Sequence, residues 1–313
     1  MPSTLSIAAV EHDTGLSKDT LRIWERRYGF PSPSRDALGE RNYPIEQMEK
    51  LLVVKRLLDA GHRPGRVLAL PLADLQQLAQ SGPARESAFD ATRLDEQLDL
   101  ITSHDVASLR RDLGQSLAQL GLARFVFEVA SPLITAVGDG WVRGRLQVFE
   151  EHLFTEVMHG LLRQAIAAIP EAPDASRPHV LLATLPGEAH GLGLLMAEAL
   201  LTLDGCVCTS LGTQTPLWDV ALAAQALDVD IVALSFTGCI GPNQAVQSLT
   251  ELRARLAPTV GLWAGGSAPV LQRRRVPGVQ PLSSLAATPI ELQRWRDEHE
   301  SSPATDAIPK MQA

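Results

Sequence analysis

The stretch Glu188-Ala189-His190-Gly191-Leu192-Gly193 constrains this chain more than any other. It follows an apolar run over 179–184 and opens a helical pattern over 192–203. A strand that ends in such a loop and returns through a helix is half of a βαβ unit. In an open α/β sheet that loop lies at the carboxyl ends of the strands, where ligands bind at a switch in strand order. His190 is a candidate metal ligand, and Glu188 can accept its other ring proton, which fixes the tautomer and raises the basicity. Gly191 and Gly193 remove side chains where a bulky ligand passes the helix start.

Strand-like runs at 179–184, 206–211, 230–235 and 259–263 alternate with helical patterns at 192–203, 217–226, 243–256 and 289–298. This alternation predicts a doubly wound, flavodoxin-like parallel sheet over 177–300, covered on both faces. Residues 301–313 are poor in large apolar side chains and are expected to form a disordered tail. Two further elements line up with the histidine loop. Ser235 ends the third run with 41 residues between it and Gly193, and Gly265-Gly266 follow the fourth, with 28 residues between them and Phe236. The set Glu-x-His-x-x-Gly, Ser235-x-Thr237, Gly-Gly resembles the cobalamin-binding fold of methionine synthase and its relatives, which reads Asp-x-His-x-x-Gly, Ser-x-Leu, Gly-Gly. That resemblance implies that His190 replaces the cofactor's own dimethylbenzimidazole as lower cobalt ligand. It also implies that the displaced nucleotide tail runs into the sheet past Ser235, Gly265 and Gly266. Glu188 in place of Asp keeps the acceptor, and Thr237 in place of Leu is expected at a packing position.

The net charge of −8 is unevenly spread, at +2 over residues 1–70 and −10 over the remainder. Only the N-terminal part is therefore suited to a polyanion. Ser6 and Ser17 are positioned to cap a helix over 7–14 and a second helix that follows at once, joined around Gly15. Leu21, Trp24 and Tyr28 fall on one side of the second helix and leave Lys18, Thr20, Arg22, Arg26 and Arg27 for other faces. Two short helices joined this way form a helix-turn-helix, the second being the reading helix. Pro31 to Pro44, carrying Arg35, Arg41 and Tyr43, reads as a wing, and helical patterns follow at 45–59, 63–70 and 72–80. Leu21-Arg22-Ile23-Trp24-Glu25-Arg26-Arg27-Tyr28-Gly29-Phe30, with Arg41-Asn42-Tyr43, resembles the winged-helix DNA-binding domain of the MerR family over 1–72. The resemblance implies that Lys18, Thr20, Arg22, Arg26 and Arg27 face the major groove of double-stranded operator DNA or its phosphates. Arg35, Arg41 and Tyr43 would hold the flanking backbone.

Ser81-Gly82-Pro83 reads as a linker, and four helical patterns occupy 86–102, 104–120, 122–142 and 146–169. Short connections predict a four-helix bundle over 84–170. Within it nine residues separate Trp141 from Glu151-His152. This Trp-x9-Glu-His spacing resembles the upper-ligand pocket of CarH/LitR-type adenosylcobalamin photoreceptors. Trp141 would be the flat wall for the adenosyl group, and Glu151 and His152 its polar partners. Light-responsive relatives that end in a bis-histidine product carry histidine directly after the tryptophan. Val142 has no lone pair, so that product is not expected here by that route, and water is favoured over His152 or His159 as the replacement ligand.

The whole chain is thus expected to be a cobalamin-dependent, light-responsive transcriptional repressor and not an enzyme. Adenosylcobalamin would lie between bundle and sheet, and dimers would assemble into a tetramer in the dark. A light-independent cobalamin sensor and a cobalamin carrier for methyl transfer are the alternatives. No run of 18 apolar residues occurs, so a cytoplasmic protein without membrane contact is expected. Cys206, Cys208 and Cys239 lack zinc-ligand spacing and are expected to be reduced packing residues.

Overall fold

The computed structural model describes residues 4–36, 39–59, 62–80, 91–170 and 178–300. The expected linker at Ser81 and the expected tail from Ser301 lie outside them. The chain divides into two compact units, Met1–Gln115 with Glu128–Val157, and Ser116–Phe127 with Met158–Ala313.

In the first unit, β1 (Thr4–Ser6), β2 (Ser34–Arg35) and β3 (Arg41–Pro44) form an antiparallel sheet in the order β1-β3-β2. The wing is thus a hairpin whose second strand also pairs with the chain's start. Helix α1 (Ile7–Thr14) begins at Ser6, whose hydroxyl accepts from the Ala9 amide, and ends at Gly15 with φ 67°. Helix α2 (Lys18–Tyr28) begins at Ser17, which accepts from Thr20, and ends at Gly29 with φ 69°. Both ends need the left-handed conformation that glycine adopts without a Cβ clash. Leu21 and Trp24 of α2 join Val10, Tyr43, Leu51, Val54, Leu57, Val67 and Leu75 in one core. The core's other residues come largely from α3 (Ile45–Asp59), α4 (Pro64–Val67) and α5 (Leu72–Gln80).

Four helical segments follow, as the pattern predicts: α6 (Ala91–Thr102), α7 (Val106–Leu120), a segment Leu122–Val142, and α10 (Val148–Ala167). The third is interrupted, because α8 (Leu122–Phe125) passes through a π-helical turn, Val126–Ala130, into α9 (Ser131–Val142). Pro132 gives the reason. It has no N–H to donate and its ring crowds the carbonyl four residues back, so a wider turn before it relieves the clash. The divisions between the two units fall at 115/116, 127/128 and 157/158, inside α7, inside this segment and inside α10. By length and composition Leu122–Val142 could cross a membrane. Its buried residues Phe125, Val126, Val129, Ala130, Leu133 and Val137 recur at helical spacing, the stripe of a packed helix.

In the second unit, β4 (His179–Ala183), β5 (Val207–Gly212), β6 (Ile231–Ser235), β7 (Gly261–Gly265) and β8 (Gln280–Pro281) form a parallel sheet in the order β5-β4-β6-β7-β8. Strand alternation sorts the core. Val180, Leu182, Ile231 and Ala233 pack with α11 (Leu192–Leu203) and α15 (Ala287–Glu300), through Leu194, Leu201 and Leu292. Leu181, Ala183, Val232 and Leu234 pack on the opposite face with α12 (Leu217–Ala226) and α13 (Pro242–Arg255), through Val220, Ala224, Leu249 and Leu252. The order reverses between β4 and β6, and this is where a doubly wound sheet opens its ligand crevice. Strands β1 and β8, with the short helix α14 (Val270–Arg273), were not legible in the pattern, because elements of two to four residues show no period.

Candidate cofactor site and nucleic-acid interface

The loop after β4 is built by its own sequence. Leu185-Pro186-Gly187-Glu188 closes with the Glu188 amide donating to the Leu185 carbonyl at 3.0 Å, and Gly187 has φ 91°. Proline then glycine is the sequence that a type II turn demands. Thr184 locks the far side, its hydroxyl donating to the Glu188 carbonyl at 2.6 Å and accepting from the Gln214 amide at 2.9 Å. The turn sends the Glu188 carboxylate inward, with no exposed surface.

That carboxylate is fully used. Oε1 accepts from the His190 amide at 3.1 Å and faces His190 Nδ1 at 2.7 Å, while Oε2 accepts from the Thr237 amide at 2.6 Å and the Thr237 hydroxyl at 2.7 Å. Burial alone would raise the Glu188 pKa, but the hydrogen bonds from His190 and Thr237 outweigh it and hold the carboxyl below its ordinary value. A hydrogen bond to Cys239, and then the one to Glu188, raise His190 to about 10. The imidazole is over half exposed. With Nδ1 committed to Glu188, Nε2 is the nitrogen left for a ligand, and a coordinating metal there takes the place of a proton.

The expected partners of His190 gather at the reversal of strand order. A Cβ on Gly193 would lie 3.5 Å from Ser235 Oγ, so the missing side chain keeps open the approach to a serine that is itself 8% exposed. A Cβ on Gly191 would lie 3.1 Å from Thr213 Cγ2 and 3.5 Å from His159 Nε2. Gly266 has a different reason. A Cβ there would meet the Phe236 carbonyl oxygen at 2.1 Å, and its φ is 108°, so backbone packing between the loops after β6 and β7 already excludes any other residue. A Cβ on Gly265 would lie 3.4 Å from Leu282. A histidine anchored on a buried carboxylate beside a glycine-cleared crevice is a donor set that fits a large planar cofactor with a metal at its centre.

Two expectations are corrected here. Thr237 is not a packing residue, because both its donors are spent on Glu188. Cys239 is not merely packed, since it bonds to His190. His159, named above as a possible replacement ligand, lies against Gly191 in the His190 loop. The signal for Thr237 was its place two residues after Ser235. Nothing in the pattern marked Cys239. Cys206 and Cys208 do behave as packing thiols, pushed up to about 12 and about 11 by burial and so kept protonated.

In the first unit Trp141 and Val142 end α9 and are partly buried. Glu151 accepts from the Thr155 hydroxyl at 2.7 Å and lies 2.7 Å from His152 Nδ1, whose ring is 70% exposed. The carboxylate is held by its own helix, and the imidazole faces outward.

The DNA-facing candidates are displayed by α2. Arg22, Arg26 and Arg27 are exposed, and Ile23, Arg26 and Arg27 rim an open depression. Lys18 bridges to Glu11 at 3.3 Å, Thr20 pairs with Ser17 at 2.8 Å, and Arg22 meets Asp19 at 3.2 Å. In the wing, Arg35 donates to the Gly39 carbonyl at 2.9 Å. Arg41 Nε donates to Glu25 at 2.8 Å, which braces the hairpin on α2 and raises the Arg41 pKa. Tyr43 does not fit the role expected of it. It is fully buried in the core, and its hydroxyl has no hydrogen-bond partner among the described residues, so it holds no DNA backbone. Tyr43→Phe should leave operator affinity at fixed salt unchanged and raise unfolding free energy by about 1 kcal/mol, by removing an unsatisfied buried hydroxyl. Denaturant melts and binding titrations check this, and a tenfold loss of DNA affinity at unchanged stability would restore Tyr43 as a contact.

Residues 5–67 match the model of the MerR HTH family regulatory protein, and residues 94–166 match the B12 binding domain. The chain is 31% identical over 259 residues to the HTH-type transcriptional repressor CarH of Myxococcus xanthus, covering 81% of this chain and 86% of that relative. It is 30% identical over 256 residues to the HTH-type transcriptional repressor CarA of the same organism, covering 82% and 84%. Among solved structures, the Methanosarcina barkeri monomethylamine corrinoid protein is 15% identical, with a TM-score of 0.51 over 64% of this chain and 96% of that one, a likeness of fold alone.

Proposed function

Because this chain belongs to the family of the CarH and CarA repressors, MerR-type regulators that carry a B12 binding domain, we propose that it is a light-released transcriptional repressor. It holds operator DNA while adenosylcobalamin is bound, and lets go after illumination. The observation that carries this reading is the Glu188 carboxylate, which fixes His190 at the reversal of strand order in a chain that also displays an arginine-bearing reading helix. Bound adenosylcobalamin supplies a cobalt–carbon bond that light breaks.

The protein's part is binding and response. His190 would offer Nε2 to the cobalt while Glu188 keeps the Nδ1 proton, and Gly193 and Ser235 would leave a path for the nucleotide tail. Trp141 is assigned the adenosyl group's flat face, and Glu151 and His152 its polar edge. When those contacts are lost, the helices that carry them can shift only by the difference in affinity the group had for their two arrangements. Lys18, Thr20, Arg22, Arg26 and Arg27, with Arg35 and Arg41, meet phosphates and the major groove, positioning the protein more than reading bases. The repressor works in the cytoplasm as dimers that form a tetramer in the dark.

The test uses full-length protein saturated with adenosylcobalamin in the dark and a DNA pool enriched on it. Green light should change the cobalamin spectrum, release the DNA and reduce the sedimentation coefficient. A spectrum and DNA affinity indifferent to light, yet dependent on cobalamin, would replace this reading with the light-independent sensor. Turnover of a methyl donor would replace it with the carrier.

A further inference from the structure

The two places where this chain departs from the usual motif, Glu188 and Thr237, meet in space. Glu188 comes from the loop after β4 and Thr237 from the loop after β6, on neighbouring strands at the reversal of order. We propose that Thr237 is a positioning residue for His190, and that Glu188 and Thr237 are one compensated change rather than two tolerated ones. This rests on the reading of His190 as the lower ligand.

A carboxylate with no exposed surface needs donors for both oxygens, or it carries an uncompensated desolvation penalty. Oε1 takes two bonds from His190. Oε2 takes two from Thr237, and one of them is the side-chain hydroxyl. Leucine at 237 would keep the amide but lose the hydroxyl. Aspartate at 188, one methylene shorter, could not hold both ends of the bridge in the present backbone. The Thr237 hydroxyl also lies 3.4 Å from His190 Nδ1, so carboxylate, hydroxyl and imidazole form a closed triangle. With Oε2 pinned, the carboxylate cannot rotate, and Oε1 stays in line for the Nδ1 proton. The His190 ring is over half exposed, so little packing orients it, and the orientation comes from this bridge together with the contact to Cys239.

Full-length protein with Thr237→Val, Thr237→Ser, Thr237→Leu, Glu188→Asp and the double Glu188→Asp/Thr237→Leu tests the proposal by two readouts. The first is the 15N shift of the His190 ring in cofactor-free protein above about pH 10, where the ring has lost its second proton and the shift reports the tautomer. Thr237→Val should mix the tautomers, and Thr237→Ser, which keeps the hydroxyl, should match wild type. The second is cobalamin affinity in the dark. Thr237→Leu and Glu188→Asp should each lose about 10- to 100-fold, the cost of deleting an outer-shell partner. The double variant should lose at least about threefold less than the product of the two, because the sites are coupled. A merely structural role would lower the melting temperature of Thr237→Val while leaving the tautomer as in wild type, and that result overturns the proposal. So does a double variant whose losses multiply. If wild type binds cobalamin without His190, the ligand reading fails by itself, and the tautomer measurement still decides the Glu188–Thr237 bridge.

Discussion

His190→Ala is expected to lose the histidine-ligated spectrum of bound cobalamin and more than about 100-fold in affinity. The magnitude follows because deleting only the partner of a metal-bound histidine already costs about 10- to 100-fold, and here the ligand itself is removed. The fold should survive. The ring is over half exposed, and without it Glu188 still accepts from the residue-190 amide, the Thr237 amide and the Thr237 hydroxyl. Stability should therefore change far less than binding, a split that separates ligand loss from unfolding. Titration with adenosylcobalamin in the dark, followed by absorption and calorimetry, makes the measurement. An unchanged spectrum at unchanged affinity would remove His190 from the cobalt and leave Glu188 as a structural hub only.

Trp24→Ala is expected to abolish DNA binding without touching cobalamin. Trp24 is 5% exposed and shares one core with Leu21, Tyr43, Leu51 and Val54. Emptying a buried tryptophan costs about 3–5 kcal/mol, a large share of the 5–15 kcal/mol that typically holds a domain together. The displayed arginines of α2 depend on that packing, because a helix of 11 residues has too little stability of its own to keep its face in place. Circular dichroism melts should show the early loss of a helical component, while the spectral titration with cobalamin stays as in wild type. Retained DNA affinity with a wild-type melt would mean that this tryptophan is not the keystone of the reading helix.

Much of the scaffold was legible because its signals are local. The caps at Ser6 and Ser17 and the glycine at 15 mark where α1 begins and ends and where α2 begins. The apolar runs gave the four central strands to within two residues. Where the pattern misled, a local rule was applied to a question settled elsewhere in space. Tyr43 has a polar tip in a basic hairpin and reads as a surface residue. Its strand lies between β1 and β2, however, and turns alternate residues inward. Leu122–Val142 reads as one regular helix because a single proline leaves apolar periodicity intact. Its ring nonetheless forces a π turn.

The sequence by itself determined the Glu188–His190 pairing and the sheet that carries it, since Pro186-Gly187 must turn, Glu188 two residues before His190 can reach Nδ1, and alternating strands and helices must make a parallel sheet. It also determined the face of α2 that carries charge, because a period of 3.6 sorts Leu21 and Trp24 from Arg22, Arg26 and Arg27. Only the tertiary structure decided what completes the site. Strand order is set by crossover connections that no local pattern encodes, and it put β6 beside β4 instead of β5 beyond it. That adjacency brings Thr237 to Glu188 across 49 positions of sequence, sets Ser235 against Gly193, and makes a four-bonded carboxylate out of a two-residue motif.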